Sequence, residues 1–287
     1  MCKSCCRQFS DRKVIDSHRL WSDYVHGKQT LKQLSERYGI SHDTITRRLN
    51  TIRPPRLVSS SKQVVVLMDA TYWGWRFGVV VFKDIRIGKV LWRKFIRTKE
   101  TLADYQEGVN WLEEHRFVID GIVCDGLRGM FQLMNRYRVQ LCQFHQIKIV
   151  RKYLTRRPEL PASRELLELV KLMAHTDKES FEGAFGDWYE RWSDFLKERS
   201  RDPVTGKSRY THRNLRSAYL SIKRNMPYLW TWYDHLVIGI PNTNNALEGM
   251  FTDLKSKLRN HNGLSKERRK RFIDEYFRAT FRCSLRG

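Results

Sequence analysis

Apolar positions in the first fifty residues recur at helical spacing. Residues 11–26 read as a helix with Val14, Leu20, Trp21 and Tyr24 among its apolar positions. Residues 30–38 read as a short second helix, broken at Gly39. Ser41 then stands as the N-cap of a third, residues 42–49, with Ile45 and Leu49 four apart on its inner side. The third helix is rich in Thr44, Thr46, Arg47 and Arg48. A helix, a glycine-containing turn and a polar, basic helix make the helix-turn-helix pattern, in which the second helix of the motif enters the major groove. An ordinary helical hairpin shares the apolar pattern, but here a basic linker follows. That linker is Arg53-Pro54-Pro55-Arg56, then Ser59-Ser60-Ser61, a stiff and then a flexible composition.

Beyond the linker the period changes from helical to extended. Val64-Val65-Val66-Leu67-Met68 is a buried-strand run that closes at Asp69, and residues 78–82 and 90–96 read as the next two strands. Residues 101–115 follow as a helix with Leu102, Tyr105, Val109 and Leu112 along one side. A fourth strand over 118–123 ends at Cys124-Asp125-Gly126; a short helix covers 129–136 and a fifth strand 139–142. Three strands, helix, strand, helix, strand predicts an α/β core with a mixed sheet. Residues 146–236 then read as almost wholly helical. Leu166, Leu169, Val170 and Met173 form one stripe, and Phe181, Phe185, Trp188, Trp192 and Phe195 another, both read as core.

Charge changes the picture from fold to partner. The 287 residues hold 54 Lys+Arg against 31 Asp+Glu, a formal net charge of +23. With 41% hydrophobic residues the chain is no disordered basic tail, and no apolar run has membrane-spanning length. Six cysteines are too few for a disulfide scaffold, and the opening Met1-Cys2-Lys3-Ser4-Cys5 does not read as a secretory leader, so a reducing compartment is expected. The surplus is clustered. Residues 1–57 hold twelve basic and five acidic side chains, 146–157 five basic and no acidic, and 255–287 eleven basic and three acidic. Separate basic clusters suit separate contacts along a phosphate backbone, which points to nucleic acid.

The candidate chemistry lies in acids that the total conceals. Asp69 and Asp125 each close an apolar strand before small or turn residues, and strand C-termini open into the crevice where ligands gather on α/β sheets. A third acid, Glu248, follows the turn Pro241-Asn242-Thr243-Asn244-Asn245. It begins a helix whose apolar face is Leu247, Phe251, Leu254 and Leu258 and whose adjacent polar face is Glu248, Thr252, Lys255 and Arg259. Hard carboxylate oxygens brought together by the fold suit Mg²⁺. Two such ions, about 4 Å apart, would stabilise both the attacking and the leaving oxygen of a phosphodiester. Lys255 and Arg259, like Thr44, Arg47 and Arg48, are read as DNA contacts.

Asp69 after its strand, Asp125 in Val-Cys-Asp-Gly, Cys142-Gln143-Phe144-His145 and Asn242-Thr243-Asn244-Asn245-Ala246-Leu247-Glu248-Gly249, in that order, resemble a DDE-type insertion-sequence transposase of the Mutator-like superfamily. Asn260-His261-Asn262-Gly263-Leu264-Ser265 is similar in type. The resemblance, from about residue 60 onwards, implies an RNase H-like catalytic core interrupted by an all-helical insertion, with Asp69, Asp125 and Glu248 as the metal-binding triad. It further implies Mg²⁺-dependent cleavage (Mn²⁺ able to substitute) at terminal inverted repeats, strand transfer into target DNA, and a homodimer or higher oligomer in a synaptic complex. The setting it implies is cytoplasmic, nucleoid-associated and prokaryotic. Cys142 and His145 are assigned a supporting role. The expected layout is a partial zinc-ribbon knuckle at 1–10, a helix-turn-helix domain at 11–57 and the first part of the core at 58–145. The helical insertion follows at 146–238, and the core is completed by 239–287.

Cys2 and Cys5, followed by Arg7-Gln8-Phe9-Ser10, resemble one knuckle of a zinc ribbon, but four ligands are needed and no second Cys-x-x-Cys precedes them. A bound Zn²⁺ is therefore not assigned. Two rival functions share the composition: a catalytically silent DNA-binding regulator derived from a transposase, and an RNase H-like structure-specific nuclease. A silent descendant has no chemical reason to retain all three acids, and a nuclease needs no long helical insertion.

Overall fold

The computed structural model describes residues 15–51, 62–75, 77–261 and 263–279. Cys2, Cys5 and the linker from Arg53 to Ser61 lie outside them. The chain divides into two compact units: Ser59–Gly249 forms one, and Met1–Val58 with Met250–Gly287 the other.

The Ser59–Gly249 unit is built on a five-stranded mixed sheet in the order β3-β2-β1-β4-β5. Strands β1 (Gln63–Tyr72), β2 (Gly78–Asp84) and β3 (Val90–Ile96) form an antiparallel meander. Helix α4 (Leu102–Glu114) then carries the chain across, so that β4 (Val118–Cys124) returns parallel to β1. The short helix α5 (Met130–Leu133) precedes β5 (Val139–Leu141), parallel to β4. The β-branched runs are continuous rather than alternating because both faces of the central strands are covered: Val64 through Met68 are all buried. On one face Val64, Val66, Met68, Val80, Phe82, Ile122 and Cys124 meet Tyr105, Val109 and Leu112 of α4. Thr101 caps that helix in a reciprocal box with Asp104, whose carboxylate accepts the Thr101 N–H.

The strand reading needs one correction. Asp69 does not end β1: the strand runs on to Tyr72, paired with β2 as far as Tyr72↔Gly78. What ends is the parallel pairing with β4, at Leu67↔Val123. Asp69 and Asp125 each lie two residues past that pair, so one register brings both to the carboxyl end of the parallel strands.

The segment after β5 is helical, with one exception. Helices α6 (Gln143–Leu154), α7 (Pro161–Leu172), α8 (Lys178–Lys197), α9 (Arg213–Leu229) and α10 (Thr231–Asp234) enclose a core that includes Leu166, Val170, Met173, Phe181, Phe185, Trp188 and Trp230. Between α8 and α9 the helical reading of 146–236 is interrupted by a two-stranded hairpin, β6 (Arg199–Arg201) against β7 (Ser208–Tyr210). Its strands are three residues each and almost wholly exposed, so they carry no apolar alternation that a sequence could display.

A ladder of buried amides joins this segment to the sheet. The Nε2 groups of Gln140 and Gln143 both donate to the Leu229 carbonyl, at 2.9 and 3.1 Å, and Gln140 Oε1 accepts the Trp232 N–H at 2.9 Å. One turn further along α6, Gln146 donates to Ser221 Oγ at 3.1 Å and accepts from Asn225 Nδ2 at 2.7 Å. All three glutamines are fully buried and bonded.

In the other unit stand α1 (Ser17–Val25), α2 (Leu31–Tyr38) and α3 (His42–Thr51); α1 is shorter than the helix expected over 11–26, because Asp16 caps it and accepts the His18 N–H. Thr30 caps α2 in a box with Gln33, Gly39 ends it at φ +63°, and Ser41 Oγ accepts the Thr44 N–H at the start of α3. Their apolar faces close on a second layer from the C-terminus. Beyond Gly249, α11 (Asn245–Arg259) buries Leu254 and Leu258, and α12 (Lys266–Ala279) buries Phe272, Ile273, Tyr276 and Phe277. The Tyr24 ring lies 4.4 Å from that of His261 and 5.7 Å from that of Phe272, and His261 Nε2 is 3.1 Å from the Tyr24 carbonyl. This differs from the expectation that all of 239–287 completes the sheet-bearing core. From Met250 onwards the C-terminal helices group with α1–α3, because their apolar faces cover the aromatic side of those helices.

Candidate metal centre

Four segments of the Ser59–Gly249 unit meet just past the point where the parallel pairing of β1 with β4 ends. Strand β1 brings Asp69, the turn after β4 brings Asp125, the first turn of α6 brings His145, and the first turn of α11 brings Glu248. One ligand atom from each of Asp69, His145 and Glu248 lies within 4.8 Å of the others. His145 Nε2 stands 3.5 Å from Glu248 Oε1, and Lys148, one turn further along α6, places Nζ 3.1 Å from the same oxygen. Lys148 Nζ also sits 4.3 Å from the centre of the Phe144 ring.

The local sequence explains the placement. Asp125 Oδ1 accepts the Leu127 N–H at 3.1 Å across a turn in which Gly126 takes φ +77°. A Cβ on Gly126 would meet Leu141 Cδ1 at 2.7 Å, so both the crowding and the positive φ favour glycine there. Asn244 is fully buried at the start of α11, where its carbonyl accepts the Leu247 and Glu248 N–H groups. Its Nδ2 reaches the Met68 carbonyl at 3.3 Å and Asp69 Oδ2 at 3.4 Å, and its own N–H donates to Cys142 Sγ at 3.2 Å. Asn242 and Gln143 add a side-chain bond of 3.1 Å and a backbone bond of 3.0 Å. The Asn242–Asn244 turn thereby ties the Glu248 helix to both β1 and the β5–α6 junction.

Electrostatics follow from crowding acids where water is scarce. Burial, then the neighbouring Asp125, push the Asp69 carboxyl up to about 7, with Glu248 and Glu100 adding to the rise. Glu100 is raised too, by burial and then by Asp125. His145 moves the other way: burial first, then Lys148, lower it, against the pull of Asp125 and Glu248. Its imidazole is thus neutral near pH 7, the form that binds a metal, and Nδ1 is buried with no partner among the described residues.

Of the residues predicted from sequence, Asp69, His145 and Glu248 converge. Asp125 stands outside that trio yet within electrostatic reach of Asp69 and His145. Cys142 is buried and accepts the Asn244 N–H, with its thiol pushed up by burial. In the other unit, Arg47 is exposed on α3, while the Thr44 hydroxyl is engaged with Ser41 Oγ at 3.0 Å and Arg48 reaches the Ile15 carbonyl at 3.5 Å. Lys255 is half-buried and Arg259 exposed on α11. The sequence marks Lys148 only as one of the five basic residues of 146–157, and it marks neither Glu100 nor the bond from Asn244 to Asp69. Asn244 falls in the segment read as a turn and cap and quoted for the motif resemblance, and a bond to a residue 175 positions away leaves no local signal.

No sequence-family model matches the chain. No curated protein matches it either. Among solved structures, the Drosophila P element transposase strand transfer complex aligns over 85% of this chain and 81% of that one, at 11% identity and a TM-score of 0.35. A likeness at that level carries no functional argument. No helix among the described residues is long and apolar enough to cross a membrane.

Proposed function

We propose that the protein is a DNA transposase that cleaves phosphodiesters with a divalent cation held by Asp69, Glu248, Asp125 and His145. The observation that carries this is the convergence of Asp69, His145 and Glu248 within 4.8 Å, with Asp125 in their field, at the carboxyl end of a parallel strand pair. Carboxylates crowded so that the Asp69 proton is held on form a cluster that a cation relieves, and His145 Nε2, facing Glu248, adds a ligand atom suited to Mn²⁺ as well as Mg²⁺. The strand order, three antiparallel and then two parallel, is compatible with the RNase H-like core implied by the motif resemblance.

When bound, the cation supplies positive charge for the phosphoryl oxygens in the transition state. The chain's own groups do the rest. Asp69 and Glu248 are held by Asn244 and the start of α11, so the acids are positioned before substrate arrives. Lys148, half-exposed beside Glu248, is placed to take a DNA phosphate. A water attacks a phosphodiester at the element's end in line and displaces the DNA 3′-oxygen, which leaves as a 3′-hydroxyl. That hydroxyl then attacks a target phosphodiester and displaces the target's own 3′-oxygen, without a covalent enzyme intermediate. The basic α3, with Thr44, Arg47 and Arg48, and the pair Lys255 and Arg259 bind duplex DNA. Terminal inverted repeats and target DNA are its substrates, and a homodimer or higher oligomer assembles on them.

The test is cleavage of a supercoiled plasmid carrying the flanking ends of the gene, in Mg²⁺ or Mn²⁺. Asp69→Asn, Asp125→Asn and Glu248→Gln should each bring cleavage to background while gel-shift binding of the ends persists. Wild-type protein that binds but does not cut would instead be the regulator, and cutting of four-way junctions regardless of end sequence would identify the structure-specific nuclease.

A further inference from the structure

We infer that the helical segment after β5 carries a second phosphate-binding site, which takes the backbone of DNA away from the acid cluster. An open cavity of about 610 Å³ lies between the end of α6, the start of α7, the β6–β7 hairpin and the start of α9. Three guanidinium side chains from three separate segments line it: Arg157 after α6, Arg209 on β7 and Arg213 at the head of α9. Arg209 is paired with Asp202 at 2.5 Å. Arg157 and Arg213 have no acidic partner among the described residues, although Glu159 also lies on the wall. Unpaired cations gathered from 56 residues of sequence into one concavity repel one another, and an anion relieves that repulsion.

The wall carries further positive charge. Two more guanidiniums stand against the Tyr210 ring, Arg216 at 4.1 Å and Arg199 at 4.5 Å from its centre. The first turns of α7 and α9 both open onto the cavity, and neither has a side-chain cap, so their positive ends add to the arginines' field. Arginine forks and backbone N–H groups match phosphate oxygens. An open cavity, rather than an enclosed one, suits a phosphodiester run passing through. The identity of the polyanion rests on the DNA reading above; the anion site itself rests on the cavity.

The experiment measures binding of the full chain to a fluorescein-labelled 30-base-pair duplex by anisotropy from 50 to 200 mM KCl, without divalent cation. Arg157→Ala/Arg213→Ala should lower the slope of log affinity against log salt by about two, since each phosphate contact contributes about 0.9. The wild-type affinity then falls about tenfold more steeply over that range than the variant's. Arg157→Lys/Arg213→Lys should retain the slope. Lys171→Ala/Lys197→Ala, which removes equal charge from α7 and α8 outside the cavity, should leave it unchanged. An unchanged slope in the arginine double variant, with a native circular dichroism spectrum, overturns the site, as does an equal drop in the lysine control. If 10 mM inorganic phosphate abolishes the wild-type advantage, a phosphate oxyanion is the recognised group; if only sodium chloride of equal ionic strength does so, the built site is overturned. Asp69→Asn should bind with the wild-type slope, so loss of cleavage and loss of this site register separately.

Discussion

At the scale of single residues, Asp69 sets the sharpest expectation. Its carboxyl rises from 3.8 to about 7 in the folded chain, chiefly through burial and then through Asp125. A carboxyl raised on folding binds its proton more tightly in the native state. Its stabilising share is therefore full below about pH 3.8 and is lost as pH climbs through about 7. His26, His145 and His261, all lowered chiefly by burial, tilt the other way, losing stability as pH falls. The diagnostic is thus the difference between Asp69→Asn and wild type in metal-free buffer. The melting temperature of the variant should gain on wild type from pH 5 to 8, and a flat difference would remove Asp69 from the crowded cluster. Added Mg²⁺ should stabilise wild type more at pH 8 than at pH 5.5, because the ligand must shed its proton to bind. Asp69, Glu248 and His145 were legible one by one, from a strand end, a helix start and a Cys-x-x-His spacing. What the patterns leave open is the geometry of the cluster, with His145 inside it and Asp125 beside it, which depends on the register Leu67↔Val123 and on Asn244 bonding across 175 positions.

At the scale of elements, glycines on two helices should answer the same substitution with opposite signs. Gly108 lies on the face of α4 that meets the sheet, where an added Cβ would stand 2.6 Å from Phe82 Cζ and 2.8 Å from Trp92 Cε3. Phe82 is fully buried and has nowhere to go. Alanine there gains up to about 1 kcal/mol in helix propensity, but overpacking costs about 1–3 kcal/mol. Gly108→Ala should therefore lower the urea midpoint. Gly183 on α8 has no atom within 4 Å of an added Cβ, so Gly183→Ala should raise stability by about 0.5–1 kcal/mol. Finding Gly108→Ala stabilising would mean that α4 does not press on Phe82 and Trp92 as described. The helices themselves were readable because apolar periodicity and caps such as Thr101 and Thr30 agree. The β6–β7 hairpin was not, because its pairing is carried by backbone bonds between exposed polar residues. Nor was the glutamine ladder, since polar side chains read as surface unless their partners are known.

At the scale of the whole molecule, the N-terminal helices are not a self-contained module. Their aromatic side is covered by residues more than two hundred positions later: Tyr24 by His261 and Phe272, and Asn50 by Arg271, which bonds its carbonyl and reaches its Oδ1 at 3.4 Å. A linker at residues 53–61 suggested that the chain's first cut in sequence is also a cut in space; the contacts instead make one unit of both ends. Phe272, 2% exposed, is the test of that closure. Phe272→Ala should cost about 3–5 kcal/mol, the usual range for a buried ring. The loss should appear in hydrogen exchange as faster exchange of α1–α3 amides together with those of α12, because one cooperative core must open as one. Amides of β1 and β2, which belong to the other unit, should keep their protection. If acceleration were confined to α12, the N-terminal helices would stand alone, and the closure inferred from Tyr24, His261 and Phe272 would be wrong. On the proposed function α3 contacts the duplex, and its stability depends on the C-terminal helix, so the same variant should also weaken duplex binding at 37 °C more than at 10 °C.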